Sequence, residues 1–158
     1  MAESNTMQNT AQFIHCMLIP LHQHYLLLPN STIAEVIPKT GIDNKTPCPE
    51  YWLGYVNWRE QKLPIINLEN LITSDADEIS PGNKLCIING INPDADVEFY
   101  AIPCNGSPQL ITLNQAALRL THDDNLSPYL HCQIKIGNKV AFIPDLDQLE
   151  IAIQSQKQ

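Results

Sequence analysis

Histidines near the start of the chain have the spacing that could best support metal chemistry. His22 and His24 lie two positions apart, with His15 and Cys16 nearby, and a His-x-His pair on one strand can chelate a metal ion. Such a site needs further ligands from elsewhere, and no second ligand pair is evident in the sequence. We therefore expect solvated turn histidines, with no metal and no other cofactor.

The residue types of a hydrolase triad also occur together, in the segment His122-Asp123-Asp124 that Ser127 follows. Sequence neighbours rarely adopt the geometry that a triad needs, and no Gly-x-Ser-x-Gly nucleophile elbow is present. We expect no catalytic residue here and no enzyme activity.

Five cysteines could supply a nucleophile or disulfides. They are Cys16, Cys48, Cys86, Cys104 and Cys132, an odd number with no Cys-x-x-Cys pair. All except Cys48 lie in or beside apolar runs. This distribution is typical of reduced core thiols in a cytosolic protein. A cysteine-dependent enzyme is an alternative, and it requires a reactive thiol of low pKa.

Composition narrows the range of partners. The chain has 158 residues, 44% of them hydrophobic, which suits one domain or two small packed halves. The formal net charge is −8 and the nine Lys and Arg residues are scattered, so neither nucleic acid nor an anionic membrane surface is expected. Residues 1–12 are polar and lack a signal-peptide pattern, so we predict a disordered tail. No apolar run reaches the roughly 20 residues of a membrane span, and we expect a cytoplasmic protein.

Short apolar runs separated by turn residues predict many β-strands. The predicted strands cover 13–21, 25–28, 33–37, 52–58, 62–66, 84–89, 97–103, 109–113, 130–136 and 140–143, with a short helical turn over 68–72. Because strands do not alternate with long helices, an all-β fold of antiparallel barrels or sandwiches fits best. A polar linker at 73–83 is predicted to divide the domain 13–153 into two halves.

One late helix is predicted, from Asp145 to about Ile153, followed by a tail over 154–158. Asp145 can cap this helix, and Asp147 and Glu150 would stabilise the positive end of its dipole. Its apolar face would hold Leu146, Leu149 and Ile153.

The segment Tyr51–Leu71 reads YWLGYVNWREQKLPIINLENL and predicts two strands around a tight turn that presents Arg59. A guanidinium there could form forked hydrogen bonds with a carboxylate or with backbone carbonyls of a helical partner. Gly54 indicates a β-bulge or the close approach of another backbone. Trp52 and Trp58 lie an even number of positions apart, so a regular strand would place both on one side. An exposed Trp58 would suit an interface hot spot, and a buried one the core.

Three blocks of the sequence resemble the CheW-like family of bacterial chemosensory adaptors. Cys16–Ile37 resembles the family's hairpin and following acidic strand. Gly54–Leu68 resembles its Gly-x-x-Asn-x-Arg segment, apolar strand and proline. Glu98–Leu113 and Val140–Leu149 resemble its second half and terminal helix. The likeness spans about residues 13–153.

The resemblance implies two small five-stranded SH3-like β-barrels packed together, with a short C-terminal helix. It also implies a non-enzymatic scaffold that joins methyl-accepting chemoreceptors to a sensor histidine kinase in membrane-bound receptor arrays. One surface would bind the kinase's own CheW-like regulatory domain, and another would receive the tip of the receptor's helical hairpin. A small-ligand- or metal-binding β-barrel is the alternative function.

Partner-binding residues follow from the same resemblance: Arg59, Gly54, Ile33, Glu35, Trp58 and Asn57. Gly54 matches a glycine near the family's kinase contact. Ile33 and Glu35 match a surface strand near the partner contacts, where an apolar centre with a charged rim would suit an interface.

Two residues depart from the family pattern. The family usually has Leu before the arginine and Gly after it, whereas this chain has Trp58 and Glu60. Glu60 places a negative charge beside Arg59 and removes a permissive backbone position. The Trp-Arg variant and the short tail are similar to accessory adaptors of pilus-linked (twitching motility) chemosensory systems.

Overall fold

The computed structural model describes residues 13–43, 45–48, 51–73, 82–114, 119–121 and 127–156, with the backbone alone at 119–121. The predicted tail 1–12, most of the predicted linker 73–83 and the segment His122-Asp123-Asp124 lie outside the described residues.

Eleven strands and two α-helices make up the described part of the chain, with a 3₁₀ turn at Asn30–Thr32. The strands are β1 (Phe13–Pro20), β2 (Tyr25–Pro29), β3 (Ile33–Pro38), β4 (Trp52–Trp58), β5 (Gln61–Ile66), β6 (Lys84–Asn89), β7 (Phe99–Cys104), β8 (Gln109–Asn114), β9 (Arg119–Thr121), β10 (Leu130–Ile136) and β11 (Lys139–Pro144). The helices are α1 (Leu68–Ile72) and α2 (Leu146–Gln156). Neither helix is long and apolar enough to cross a membrane.

The strands form two sheets. One has the order β8-β1-β2-β11-β10-β9 and the other β3-β6-β7-β5-β4. Neighbouring strands are antiparallel except for the pairs β2–β11 and β5–β7, which run parallel. The predicted all-β fold class with a C-terminal helix is confirmed, and the three-residue β9 adds a sixth strand to one sheet.

The chain crosses between the sheets twice. The first two strands pair with the last four, while β3 to β7 form the other sheet. Strand β5 before the predicted linker 73–83 and strand β6 after it both belong to the five-stranded sheet, and the division of the domain at this linker stays a prediction. The parallel pairing of Ala141 with Tyr25 brings an early strand and a late strand together, and local composition carries no sign of such a contact.

Three apolar clusters explain why the strands read as nearly continuous apolar runs. One cluster draws on all five strands of the five-stranded sheet, a second lies within the six-stranded sheet, and a third lies between the sheets and α2. Successive residues enter different clusters: Ile65 packs in the first and Ile66 in the third. A strand buried on both faces shows no apolar–polar alternation.

Helix α2 closes the third cluster. Its buried residues include Leu146, Leu149 and Ile153, as predicted. The backbone N–H of Gln148 donates to Asp145 Oδ1 at 3.1 Å, which confirms the predicted cap. The helix continues to Gln156, so it includes part of the predicted tail 154–158.

A bulge in β4 changes which way its side chains face. The pairing of β4 with β5 shifts between Trp52 and Gly54, and Gly54 has a φ of 132°. The bulge predicted at Gly54 is thus confirmed, since such a φ favours glycine. The expectation that Trp52 and Trp58 share one side is wrong. Trp52 packs between the sheets, and Trp58 packs within the five-stranded sheet, because the bulge adds a residue to the alternation.

Two buried carboxylates tie the sheets together. Glu69 of α1 accepts hydrogen bonds from the backbone N–H groups of His22 and Gln23, both at 2.9 Å, and lies 2.9 Å from His24 Nδ1. The His24 ring also packs on Phe142, with 4.7 Å between ring centroids. His24 is therefore engaged in the β1–β2 turn and is not the solvated histidine that the sequence suggested.

Glu150 of α2 makes the reciprocal connection to the five-stranded sheet. It is fully buried and accepts hydrogen bonds from the backbone N–H groups of Ile91 at 2.9 Å and Asn92 at 2.8 Å, and from the Tyr100 hydroxyl at 3.0 Å. These contacts, rather than the helix dipole alone, account for a buried charge at this position.

Candidate partner-binding surface

A strained two-residue turn joins β4 to β5. Trp58 pairs with Gln61, and the turn residues Arg59 and Glu60 have φ angles of 48° and 64°. Both lie in the left-handed region that a type I′ hairpin turn requires and that Asn and Gly usually fill. The predicted turn at Arg59 is present. Its left-handed backbone conformation is unfavourable for both Arg59 and Glu60.

Glu35 organises the side chains beside this turn. Its Oε2 accepts a hydrogen bond from Trp58 Nε1 at 2.6 Å and lies 3.8 Å from Arg59 Nη2. The Arg59 guanidinium carbon stands 4.4 Å from the centroid of the Trp58 ring. Cation, indole and carboxylate thus form one cluster, in which Arg59 is held by a stacking contact and an ion pair.

Trp58 belongs to the core. It is 6% exposed and meets the Phe99 ring with 4.8 Å between centroids and 62° between planes. Of the two alternatives for Trp58, its burial favours core packing, and a role of this residue in partner binding stays a prediction. Its contribution is to position Arg59 and Glu35, whose side chains remain 68% and 44% exposed.

The remaining predicted residues lie at different distances from this cluster. Asn57 is exposed and directly precedes Trp58 on β4. Ile33 is half-buried at the start of β3 and packs against the cluster between the sheets. Gly54 is buried at the bulge, near the opposite end of β4. The structure therefore brings together Glu35, Trp58 and Arg59.

A second polar cluster, which the sequence reasoning missed, covers part of the β4 edge. The backbones of Asp43 and Tyr55 exchange two hydrogen bonds of 2.8 Å. The Asp43 carboxylate accepts from Thr46 Oγ1 at 2.6 Å and lies 3.1 Å from Lys62 Nζ. Hydrogen bonds from the Thr46 hydroxyl, the Lys45 backbone and Lys62 hold the pKa of Asp43 well below its usual range. The Asp-x-x-Thr spacing, typical of a side-chain-capped turn, is the signal that could have revealed it.

Three of the five thiols, those of Cys16, Cys86 and Cys132, have raised pKa values, whereas the hydrogen bond with Cys86 lowers the pKa of the buried Cys104. Cys86 and Cys104 are buried with their sulfurs 3.6 Å apart, and this contact together with burial raises the pKa of Cys86. Burial also raises the pKa values of Cys16 and Cys132. A raised pKa disfavours the thiolate that a cysteine-dependent enzyme needs.

An open groove of about 340 Å³ lies between the ends of β2 and β11 and the start of α2. Its walls are largely apolar, with Leu28, Ile143 and Leu146 among them. Within the described residues, no group of three or more His, Cys, Asp or Glu side chains could hold a metal ion. The groove is one place where a small ligand, the alternative function, could bind.

Comparison with known protein families shows to which family this chain belongs. A model of the CheW-like domain matches residues 15–152 of the chain. The chain belongs to the CheW-like family. The match includes both sheets and most of α2, so the CheW-like domain accounts for nearly the whole described structure.

A solved structure shares this CheW-like fold. The scaffolding protein TtCheW from Thermoanaerobacter tengcongensis superimposes with a TM-score of 0.69 at 14% sequence identity, over 86% of each chain. At this identity the likeness is evidence for the fold alone. No curated protein matches the chain.

Proposed function

We propose that this CheW-like protein is a non-enzymatic scaffold that couples methyl-accepting chemoreceptors to a sensor histidine kinase. The observation that carries the proposal is the family match over residues 15–152. The partners are the CheW-like regulatory domain of the kinase and the tip of the receptor's helical hairpin. The site of action is cytoplasmic, at membrane-bound receptor arrays.

The geometry supports two separate contacts on one scaffold. The Glu35–Arg59 cluster lies at the hairpin end of β4, and Gly54 lies near the other end of the same strand. We assign the receptor to the first surface and the kinase domain to the second. Each contact can be weak alone, because a bound neighbour in an array raises the effective concentration of the next. The buried carboxylates Glu69 and Glu150 would keep the two sheets in a fixed relation while a signal passes.

Calorimetry with purified partners tests the proposal. The titrants are the CheW-like regulatory domain of the same organism's kinases and cytoplasmic fragments of its receptors. Arg59→Glu should weaken receptor binding by about tenfold or more, since it places two carboxylates together, and should leave kinase binding unchanged. Lys135→Glu, an equal charge reversal at an exposed position of the six-stranded sheet, is the matched control. A folded wild-type protein that binds neither partner would refute the scaffold function.

The departures from the family pattern support a narrower role, as an accessory adaptor of a pilus-linked (twitching motility) system. The Trp58 ring stacks against the guanidinium of Arg59, and Glu60 replaces the usual glycine. Deleting the gene should impair twitching and leave flagellar chemotaxis intact, and complementation with the intact gene should restore it. A swimming defect without a twitching defect would assign the protein to the other system.

A further inference from the structure

The hairpin between β4 and β5 carries one charged side chain that no described residue neutralises. Arg59 is paired with Glu35, and Lys62 lies 3.1 Å from Asp43 and 4.8 Å from the Tyr55 ring centroid. Glu60 is exposed and has no hydrogen bond or ion pair with any of the described residues. The free charge at the tip of the hairpin is therefore a carboxylate.

The backbone gives no reason for glutamate at this position. Glu60 has a φ of 64°. Glycine adopts this conformation without strain, whereas a residue with a Cβ atom is sterically strained there. Its side chain contributes no packing to the apolar clusters of the two sheets. Residues held in strained conformations without internal contacts concentrate at functional sites, where the side chain acts on a partner.

We propose that Glu60 determines which receptor this scaffold accepts, by pairing with a lysine or arginine on the receptor's helical hairpin. The inference rests on the proposed function. The Arg59 guanidinium already has the Trp58 ring on one side and Glu35 close by, so Glu60 is the charge left to meet a partner. A receptor with an acidic side chain at that point is rejected, because two like charges then face each other.

Three substitutions at Glu60 separate charge from backbone strain. Glu60→Gln removes the charge and keeps the strain, Glu60→Asp keeps the charge, and Glu60→Gly removes both. We expect Glu60→Gln and Glu60→Gly to weaken binding to a receptor fragment by about threefold at low salt, with a smaller dependence on salt. Glu60→Asp should bind nearly as well as the wild type.

Thermal unfolding provides the readout that a merely structural role would not produce. Glu60→Gly should raise Tm by roughly 3 °C while it lowers affinity, because the glycine relaxes the turn. Gln109→Lys changes the net charge as Glu60→Gln does, but at an exposed position on β8 of the other sheet, and should leave receptor binding unchanged.

The outcomes distinguish the two proposals. If the folded wild-type protein binds none of the organism's receptor fragments, the proposed function fails and this inference fails with it. If the wild type binds and Glu60→Gln and Glu60→Gly bind equally well or better, Glu60 has no attractive role and only this inference is overturned.

Discussion

The indole nitrogen of Trp58 and the carboxylate of Glu35 join the two edge strands of the five-stranded sheet. Trp58 lies on β4 and Glu35 on β3, which are at opposite ends of the strand order, yet the two atoms are 2.6 Å apart. The sheet must therefore curl back on itself at this end. The same contact places Arg59 beside Glu35, so one hydrogen bond lies both where the sheet closes and at the candidate surface.

A double-mutant cycle on this pair should reveal a coupling of about 1 kcal/mol, a value reduced from that of a buried charge-assisted bond because Glu35 is partly exposed. The variants are Glu35→Ala, Trp58→Phe and the double substitution, compared by urea unfolding. Phe fills most of the indole site without the N–H donor. Strictly additive effects would show that the hydrogen bond contributes nothing to stability.

Glu150→Gln should destabilise the fold by about 2 kcal/mol, because one of its acceptor oxygens becomes an amide NH2 group that faces hydrogen-bond donors. Glu150 receives two backbone N–H groups and the Tyr100 hydroxyl in a fully buried site. Chemical denaturation provides the measurement. The matched control is Asp147→Asn, one turn earlier on the exposed side of α2, which should cost a few tenths of a kcal/mol through the helix dipole. Equal effects of the two changes would contradict the bridging role.

Stability should decline at alkaline pH. Burial raises the pKa values of Cys16, Cys132, Tyr51 and Tyr100, so these groups ionise first in the unfolded chain. Their contribution is complete below the unfolded pKa values, about 8.5 for Cys and 10 for Tyr, and is lost progressively as the pH rises from these values to the higher folded pKa values. Urea midpoints between pH 7.5 and 10 measure the decline. Tyr100→Phe should make it shallower above pH 9.5, and a midpoint that stays constant over the range would refute the linkage.

Gly54→Ala should lower the free energy of unfolding by about 1–2 kcal/mol, since a φ of 132° is unfavourable for any residue with a Cβ. Asn57→Ala, at an exposed position of the same strand, serves as control and should stay within about 0.5 kcal/mol of the wild type. Thermal or urea unfolding compares them. If alanine is tolerated at both positions alike, the bulge does not require glycine.

Local sequence patterns anticipated most of the secondary structure. The turn at His22–His24, the hairpin turn at Arg59 and the cap at Asp145 each depend on neighbouring residues, and each is present. The candidate surface was anticipated only in part. The Asn-x-Arg motif led to Arg59, and the family's surface strand led to Glu35. The burial of Trp58 depends on how the sheet closes.

The sequence by itself determined that this chain forms short strands with a final helix, because strand periodicity, turns and caps depend on residues that are neighbours in the sequence. It also determined that the chain carries the CheW-like motif. Only the tertiary structure decided which strands share a sheet, since β2 meets β11 from the far end of the chain. It also decided that Glu69 and Glu150 are buried connectors and that Trp52 and Trp58 face different clusters. These features depend on long-range pairing and on a single bulge, and neither leaves a periodic trace in the sequence.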